Sequence, residues 1–311
     1  MSALICGSLA YDTIMVFKER FRDHILPDQV HILNVAFLVP HLRREYGGCA
    51  GNISYNLKLL GGSPLPMATV GDDFTVYQKH LDKLGIDCRY VTHVPDTYTA
   101  QAFITTDVED NQITAFHPGA MSHSMNNQVK NTTGVSIGIV APDAKEAMLQ
   151  HSEQFAEMGI PHFFDPGQGL PMFNGDELQA CIERANWITV NDYEARMLSD
   201  KTGLDTAAIA QRVEAYIITR GGEGSEIHTT SGTEHIASVP PSKIADPTGC
   251  GDAYRAGLLW GLMNDTDLAT AARIGSLLGS MKIECQGPQN HTLEFDAFAN
   301  RFREAFGYAM K

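Results

Sequence analysis

A chain of 311 residues with 23 Lys and Arg against 37 Asp and Glu carries a formal net charge of −14 at neutral pH. That length buries a substantial core in one large domain or two ordinary ones, and the acidic balance, with no basic stripe, argues against nucleic acid as a partner. Six scattered cysteines without a Cys-x-x-Cys spacing read as reduced cytoplasmic thiols, and no apolar run approaches the ~18 residues of a membrane span.

In chain order, residues 3–7 form a short apolar strand, with no basic segment ahead of it to make a secretory leader. Residues 13–39 are β-rich, in Thr13-Ile14-Met15-Val16-Phe17 and Val30-His31-Ile32-Leu33, with no convincing helix between. A helix is expected over 52–60, stopped by Gly61-Gly62, and a strand over 67–70. Asp72 or Asp73 can cap a helix that runs to Leu84 and ends at Gly85. Ala100, Ala102, Ile104 and Thr106 alternate, the chain turns at Glu109-Asp110-Asn111, and Ile113 and Ala115 resume the alternation, which signals a hairpin. Strands at 135–140, 162–164, 187–190 and 216–219 then alternate with helices at 145–158, 177–184 and 193–198. Residues 236–245 read as extended and 253–263 as a buried helix. Phe295, Phe298, Phe302 and Phe306 share one helical face, for which core packing outweighs a partner surface. The βα alternation predicts an α/β fold with an open, mostly parallel sheet covered by helices on both faces. The two β-rich insertions are either decoration or together a small sheet over its active edge, and no repeat or linker divides the chain.

The most informative run is Asp246-Pro247-Thr248-Gly249-Cys250-Gly251-Asp252-Ala253-Tyr254-Arg255-Ala256-Gly257. Two glycines flank a small residue where a helix begins, so successive backbone N–H groups converge on one point. Those groups lack intrahelical acceptors and lie at the positive end of the helix dipole, which makes an anion site. Asp252 would repel an anion unless it has a chemical task, and the task that fits is general base beside a transferring phosphoryl group. A Walker A loop and a protein-kinase catalytic loop are both absent, which leaves 246–252 as the phosphate cradle. The thiol of Cys250 is either activated by the helix N-terminus or a small residue contributing its backbone N–H.

Other candidates follow strand ends, where open α/β sheets bind ligands. Asp12 can accept hydrogen bonds from sugar hydroxyls or cap a turn. In Tyr46-Gly47-Gly48-Cys49-Ala50-Gly51-Asn52 the glycines permit close backbone approach, and Asn52 either offers its amide to a ligand or caps a helix. Gln168, in Phe164-Asp165-Pro166-Gly167-Gln168, faces a base or simply turns the chain. Asn191-Asp192-Tyr193-Glu194 supplies one amide and one carboxylate, enough for a magnesium ion that keeps several waters, with a helix cap as the plain alternative.

Positions 246–257 resemble the second signature of the ribokinase-like (PfkB) carbohydrate and nucleoside kinases, with Cys250 where Ala is usual. Residues 46–52 resemble the first signature in its adenosine-kinase form, a Gly-Gly pair followed four residues later by Asn. Asn191 and Glu194 match the family's Asn-x-x-Glu motif, and Thr219-Arg220-Gly221-Gly222-Glu223-Gly224 resembles its nucleotide-contacting loop. The resemblance spans essentially the whole chain and implies one ribokinase-like core over 1–311, with a lid from insertions at about 13–45 and 96–121. It further implies Asp252 as base and Gly249, Cys250 and Gly251 as anion hole. Asp12, Gly48 and Asn52 would hold the ribose 2′ and 3′ hydroxyls, with Gln168 toward the base. Asn191, Thr219, Gly221, Gly224 and Gly287 would contact ATP, and Glu194 with Asn191 would order Mg²⁺ through water. Asp246 and the 282–287 turn fall where relatives border adenine and often a monovalent cation, K⁺. The implied reaction is phosphorylation of a ribonucleoside 5′-hydroxyl by Mg-ATP, adenosine first, inosine and guanosine next. A sugar kinase for ribose or a fructose derivative shares the core and the Asp252 chemistry; a non-catalytic sensor is disfavoured because the site residues are intact. The expected partners are a nucleoside and ATP, without nucleic acid or membrane, on a monomer or homodimer.

Overall fold

The computed structural model describes residues 1–25, 35–109 and 111–310, so the expected strand Val30-His31-Ile32-Leu33 and Asp110 of the hairpin turn lie outside the described residues. The first part of the chain holds β1 (Ser2–Cys6), β2 (Ala10–Val16), the one-turn α1 (Phe21–His24), β3 (His41–Gly47), α2 (Cys49–Leu59), β4 (Pro64–Val70), α3 (Thr75–Leu84), β5 (Tyr90–His93), β6 (Ala100–Thr106) and β7 (Gln112–His117). There follow β8 (Val135–Val140), α4 (Lys145–Glu157), β9 (His162–Phe164), α5 (Gly175–Arg184), β10 (Trp187–Asn191), α6 (Asp192–Thr202), α7 (Thr206–Ala210) and β11 (Ala215–Thr219). The last part holds β12 (Ser225–Thr229), β13 (Gly232–Ile236), α8 (Cys250–Met263), α9 (Leu268–Ile283) and α10 (Phe295–Phe306).

The large sheet runs β13-β12-β11-β10-β9-β8-β1-β4-β5, parallel from β11 to β5, with β12 and β13 antiparallel at one edge. Period-two alternation in β1 explains why both faces are covered. Ala3 and Ile5 enter a core with Ile53, Leu258, Leu277 and Phe302, while Leu4 and Cys6 enter the opposite one with Phe155, Phe164 and Leu178. Phe298 and Phe302 of α10 are fully buried, each contributing about 1.5–3 kcal/mol. Their helical face is therefore core, although Phe295 stays 42% exposed beside Trp260. A separate four-stranded sheet, β3-β2-β6-β7, forms the lid, with β2 parallel to β6 and the other pairs antiparallel. This is the expected ribokinase-like α/β architecture.

Several local expectations change. Helix α2 begins at Cys49 rather than Asn52, because Gly48 at φ 83° is its N-cap. Asp72 and Asp73 do not cap α3, whose N-cap Phe74 makes no side-chain bond. They serve the lid connection instead: Asp73 accepts from Thr99 N (2.8 Å) and Gln101 Nε2 (2.9 Å), and Asp72 from Asp96 N (3.1 Å). Residues 237–245, expected to be extended, carry no strand, and the β12–β13 hairpin, β5 and α9 are additions. Among the described residues no helix is long and apolar enough to cross a membrane.

Candidate active site

The carboxyl ends of β1, β8, β9, β10 and β11 face a cavity of about 810 Å³ whose walls include Ser8, Asp12, Asn52, Gln168, Asn191 and Asp252. A second cavity of about 450 Å³ meets it at Thr219, Gly221 and Gly251, and is walled by small and apolar residues including Gly224, Val239, Pro241, Tyr254 and Ser276. Both volumes are in the range of small-molecule sites.

Helix α8 starts between the two cavities. Its N-cap, Gly249, has φ 82°, and a Cβ there would stand 2.8 Å from the Cβ of Pro288, so conformation and space both require glycine. Asp252 falls in the first turn, where Asn52 Nδ2, 200 residues away in sequence, donates to its Oδ2 at 2.8 Å. Burial, opposed by Asn52 and Arg255, lifts its pKa to about 6. The carboxylate is thus ionised at neutral pH yet basic enough to take a proton. The Cys250 N–H donates to the Pro247 carbonyl at 3.2 Å, so one of the three expected anion-hole amides is engaged within the turn. Burial pushes the Cys250 thiol up to about 11, which favours the small residue contributing its backbone over an activated thiol. Cys250 lines the smaller cavity.

The lid strand β2 brings Asp12 to the larger cavity. A Cβ on Gly47 would lie 2.6 Å from Asp12 Oδ2, so this glycine leaves room for the carboxylate. Burial, then Glu45 and Asp246, raise the Asp12 pKa to about 6. Gly48 also lines the cavity; besides its positive φ, a Cβ there would meet Ser8 O at 2.5 Å. Asn52 is more constrained than its sequence position suggests, since its Oδ1 accepts from Gln289 Nε2 at 3.0 Å while its Nδ2 holds Asp252. Gln168 lies at the rim with Nε2 directed to Cys49 Sγ at 3.5 Å.

Asn191 and Glu194 cap α6 reciprocally: Asn191 Oδ1 accepts from Glu194 N and Glu194 Oε2 from Asn191 N, each at 2.8 Å. Both line the larger cavity, so the cap leaves room for a ligand role. Burial, then the Asp165 charge, raise the Glu194 pKa against the pull of the Asn191 amide and the Arg255 charge. Among the described residues, no group of three or more His, Cys, Asp or Glu could hold a metal. The donor set, one carboxylate and one amide, suits magnesium that keeps its waters and arrives with phosphates.

Thr219 and Gly221 border both cavities and Gly224 the smaller one, whereas Asp246 and Gly287 line neither. Asp246 is occupied internally. Its Oδ1 accepts from Thr248 N and its Oδ2 from Gly287 N, each at 2.9 Å, and its carbonyl accepts from Lys282 Nζ at 2.7 Å. Burial alone would raise its pKa, but the Gly287 and Thr248 amides hold it below the ordinary value. These residues do not fit a further monovalent cation.

Two residues at the site escape the sequence reading, the cation Arg255 and the neutral amide Gln289. Arg255 donates from Nε and a terminal nitrogen to Asp165 at 2.7 and 2.9 Å, in a pair that is almost wholly buried. Burial opposes its charge, yet Asp165, Glu194 and Asp252 together hold its pKa above the ordinary value. Gln289, buried, links Asn52 to Tyr77 through bonds of 3.0 and 2.6 Å. The only sequence signal for Arg255 is a charge inside an otherwise apolar helix; Gln289 carries none.

Residues 12–295 match the pfkB family of carbohydrate kinases. The chain is 30% identical over 273 residues to a nucleoside kinase of Methanocaldococcus jannaschii, covering 87% of this chain and 90% of that one. It superposes on Burkholderia thailandensis nucleoside kinase in complex with inosine with TM-score 0.90 and 51% identity over 99% of each chain. The ADP-inosine complex of the same protein gives TM-score 0.88 and 53% identity, covering 99% of this chain and 97% of that one.

Proposed function

From the premise that the chain belongs to the pfkB family of carbohydrate kinases and is an ATP-dependent kinase, we propose that it phosphorylates the 5′-hydroxyl of ribonucleosides, adenosine and inosine first among them. One observation carries the reading: Asp252 meets Asn52 at the head of α8, in the same cavity as Asp12. In that cavity Asp252 would serve as base for a primary hydroxyl and Asp12 as acceptor for the vicinal diol. The 51% identical B. thailandensis enzyme binding inosine supports a nucleoside over a free sugar. The Gln168 amide both donates and accepts, so it suits either a 6-amino or a 6-oxo purine.

In this reading the larger cavity takes the nucleoside and the smaller one the adenine end of ATP. Asp12, Gly48 and Asn52 orient the ribose. Asp252 accepts the 5′-hydroxyl proton as that oxygen bonds to the γ-phosphorus and the bond to the ADP oxygen breaks; the proton then passes to solvent. The amides of Gly249 and Gly251, joined by Cys250 if its turn bond yields, stabilise charge on the transferring oxygens. Glu194 and Asn191 would hold magnesium through water, where the ion neutralises phosphate charge. Closure of the lid excludes water that would otherwise hydrolyse ATP. Six free thiols favour the cytoplasm as its location.

The test is ADP release with Mg-ATP against adenosine, inosine, guanosine, cytidine, ribose and fructose 6-phosphate. Turnover of nucleosides is expected. Turnover of sugars alone would make this a sugar kinase, and silence throughout would favour the sensor.

A further inference from the structure

Lys282, in the last turn of α9, has no solvent exposure. Its Nζ donates to the carbonyls of Asp246 at 2.7 Å and Cys285 at 3.3 Å. Those carbonyls belong to the two segments that flank the head of α8. The same segments are tied a second time, through the Asp246 carboxylate to Gly287 N at 2.9 Å, and Gly249 packs directly on Pro288. The end of α9 joins them, its Ile283 carbonyl accepting from the amides of Ala245 (2.8 Å) and Asp246 (3.2 Å). A buried side chain that offers only donors, set among backbone carbonyls near a carboxylate, has the ligand environment of a monovalent cation.

We propose that the Lys282 ammonium serves as a built-in monovalent cation, which holds the 246–249 and 285–288 segments together and lets the enzyme work without free K⁺. The inference rests on reading 249–251 as the phosphate cradle. Lys282 touches neither cavity, so it is a positioning residue acting through Asp246 and Gly249. A free alkali ion would face the same carbonyls with a positive charge already in place.

Turnover and melting temperature are measured in KCl and in tetramethylammonium chloride at equal ionic strength. Wild-type turnover should agree within about twofold between the two salts. Lys282→Ala leaves the two carbonyls and a space, and a displaced cradle should lower its turnover about a hundredfold in tetramethylammonium. K⁺ or NH₄⁺ should then restore both turnover and melting temperature to this variant, and neither to wild type. Strong activation of wild type by K⁺ would overturn the proposal, as would a Lys282→Ala variant that no small cation rescues. Should that variant not fold, Lys282→Met refills the volume without the charge; wild-type turnover by the Met variant in tetramethylammonium would also overturn it. The melting readout needs no substrate, so it decides the role of Lys282 even if the kinase reading fails.

Discussion

Replacing Asp252 with Asn separates the base from everything else at the head of α8. Asn52 Nδ2 donates to Asp252 Oδ2 at 2.8 Å, and Asp252→Asn keeps both that acceptor and the side-chain volume. Nucleoside and ATP binding should therefore survive while the proton acceptor is lost. Loss of a positioned general base lowers turnover about 10²–10⁴-fold, or about 2.7–5.4 kcal/mol of transition-state free energy. The pH profile sharpens the test. Burial lifts Asp252 to about 6 against the pull of Asn52 and Arg255, so about one tenth is ionised at pH 5 and about nine tenths at pH 7. Burial, Glu45 and Asp246 bring Asp12 to about 6 as well. If both acids act ionised, wild-type log kcat/KM should rise with a slope approaching about 2 below pH 6, and Asp252→Asn should retain a slope of about 1 from Asp12. A coupled ADP-release assay across this range reads rate and slope together. A variant within about tenfold of wild type at neutral pH, or one with the full wild-type slope, would refute the assignment of Asp252 as base.

Glu194→Gln should preserve the cap of α6, since Gln accepts from Asn191 N as Glu does, while weakening apparent magnesium affinity about tenfold or more. Unchanged magnesium dependence in initial rates would leave Glu194 with the cap alone. Asp165→Asn removes one charge from the buried pair with Arg255, at 2.7 and 2.9 Å, and should cost about 3–5 kcal/mol in urea unfolding; a loss below about 1 kcal/mol would show that the pair is solvated or dispensable. Burial raises the Asp143 carboxyl from 3.8 to about 7, so the folded chain holds a proton there that the unfolded chain releases. Its contribution is full below the unfolded value and disappears as pH rises through the folded one. Asp143→Asn should therefore gain stability relative to wild type between about pH 4 and 7; a difference that stays constant across those pH values would contradict the shift.

Local pattern and long-range pairing were legible to different degrees in the sequence. The strands expected at 135–140 and 162–164 coincide with β8 and β9, because buried parallel strands are short apolar runs bounded by turn residues. Strand β5 escapes because Tyr90, Val91, Thr92 and His93 include only two apolar residues. Helix α9 escapes because alanine, glycine and serine fill much of the interior of Leu268–Ile283. At the site, glycine-rich signatures mark Gly48, Gly249 and Asp252, since backbone conformation there restricts residue type locally. Nothing local marks Gln289 as the partner of Asn52, 237 positions away. The Asp246 position was legible but its occupancy was not: Lys282 alone in the sequence is an ordinary late-helix lysine, and only folding brings its ammonium to the Asp246 carbonyl.

In the proposed reaction, the placement of the buried Arg255 would let an acid work beside an anion site. Arg255 lies one helical turn from Asp252, but its guanidinium is turned to Asp165 and, at 3.3 Å, to the Gly251 carbonyl. It moderates the charge of Asp165, Glu194 and Asp252 while its hydrogen bonds go to Asp165 and to backbone carbonyls. Asp252 takes its direct hydrogen bond from the neutral amide of Asn52 instead. A direct arginine partner would depress a carboxylate far below neutrality and spoil it as a base, whereas a neutral donor orients it at smaller loss of basicity. Arg255→Met should accordingly raise the Asp252 pKa and move the acid limb of kcat/KM upward, while Asn52→Leu should disturb orientation and turnover together. If both substitutions left the acid limb in place, the carboxyl titrating near 6 would not be Asp252.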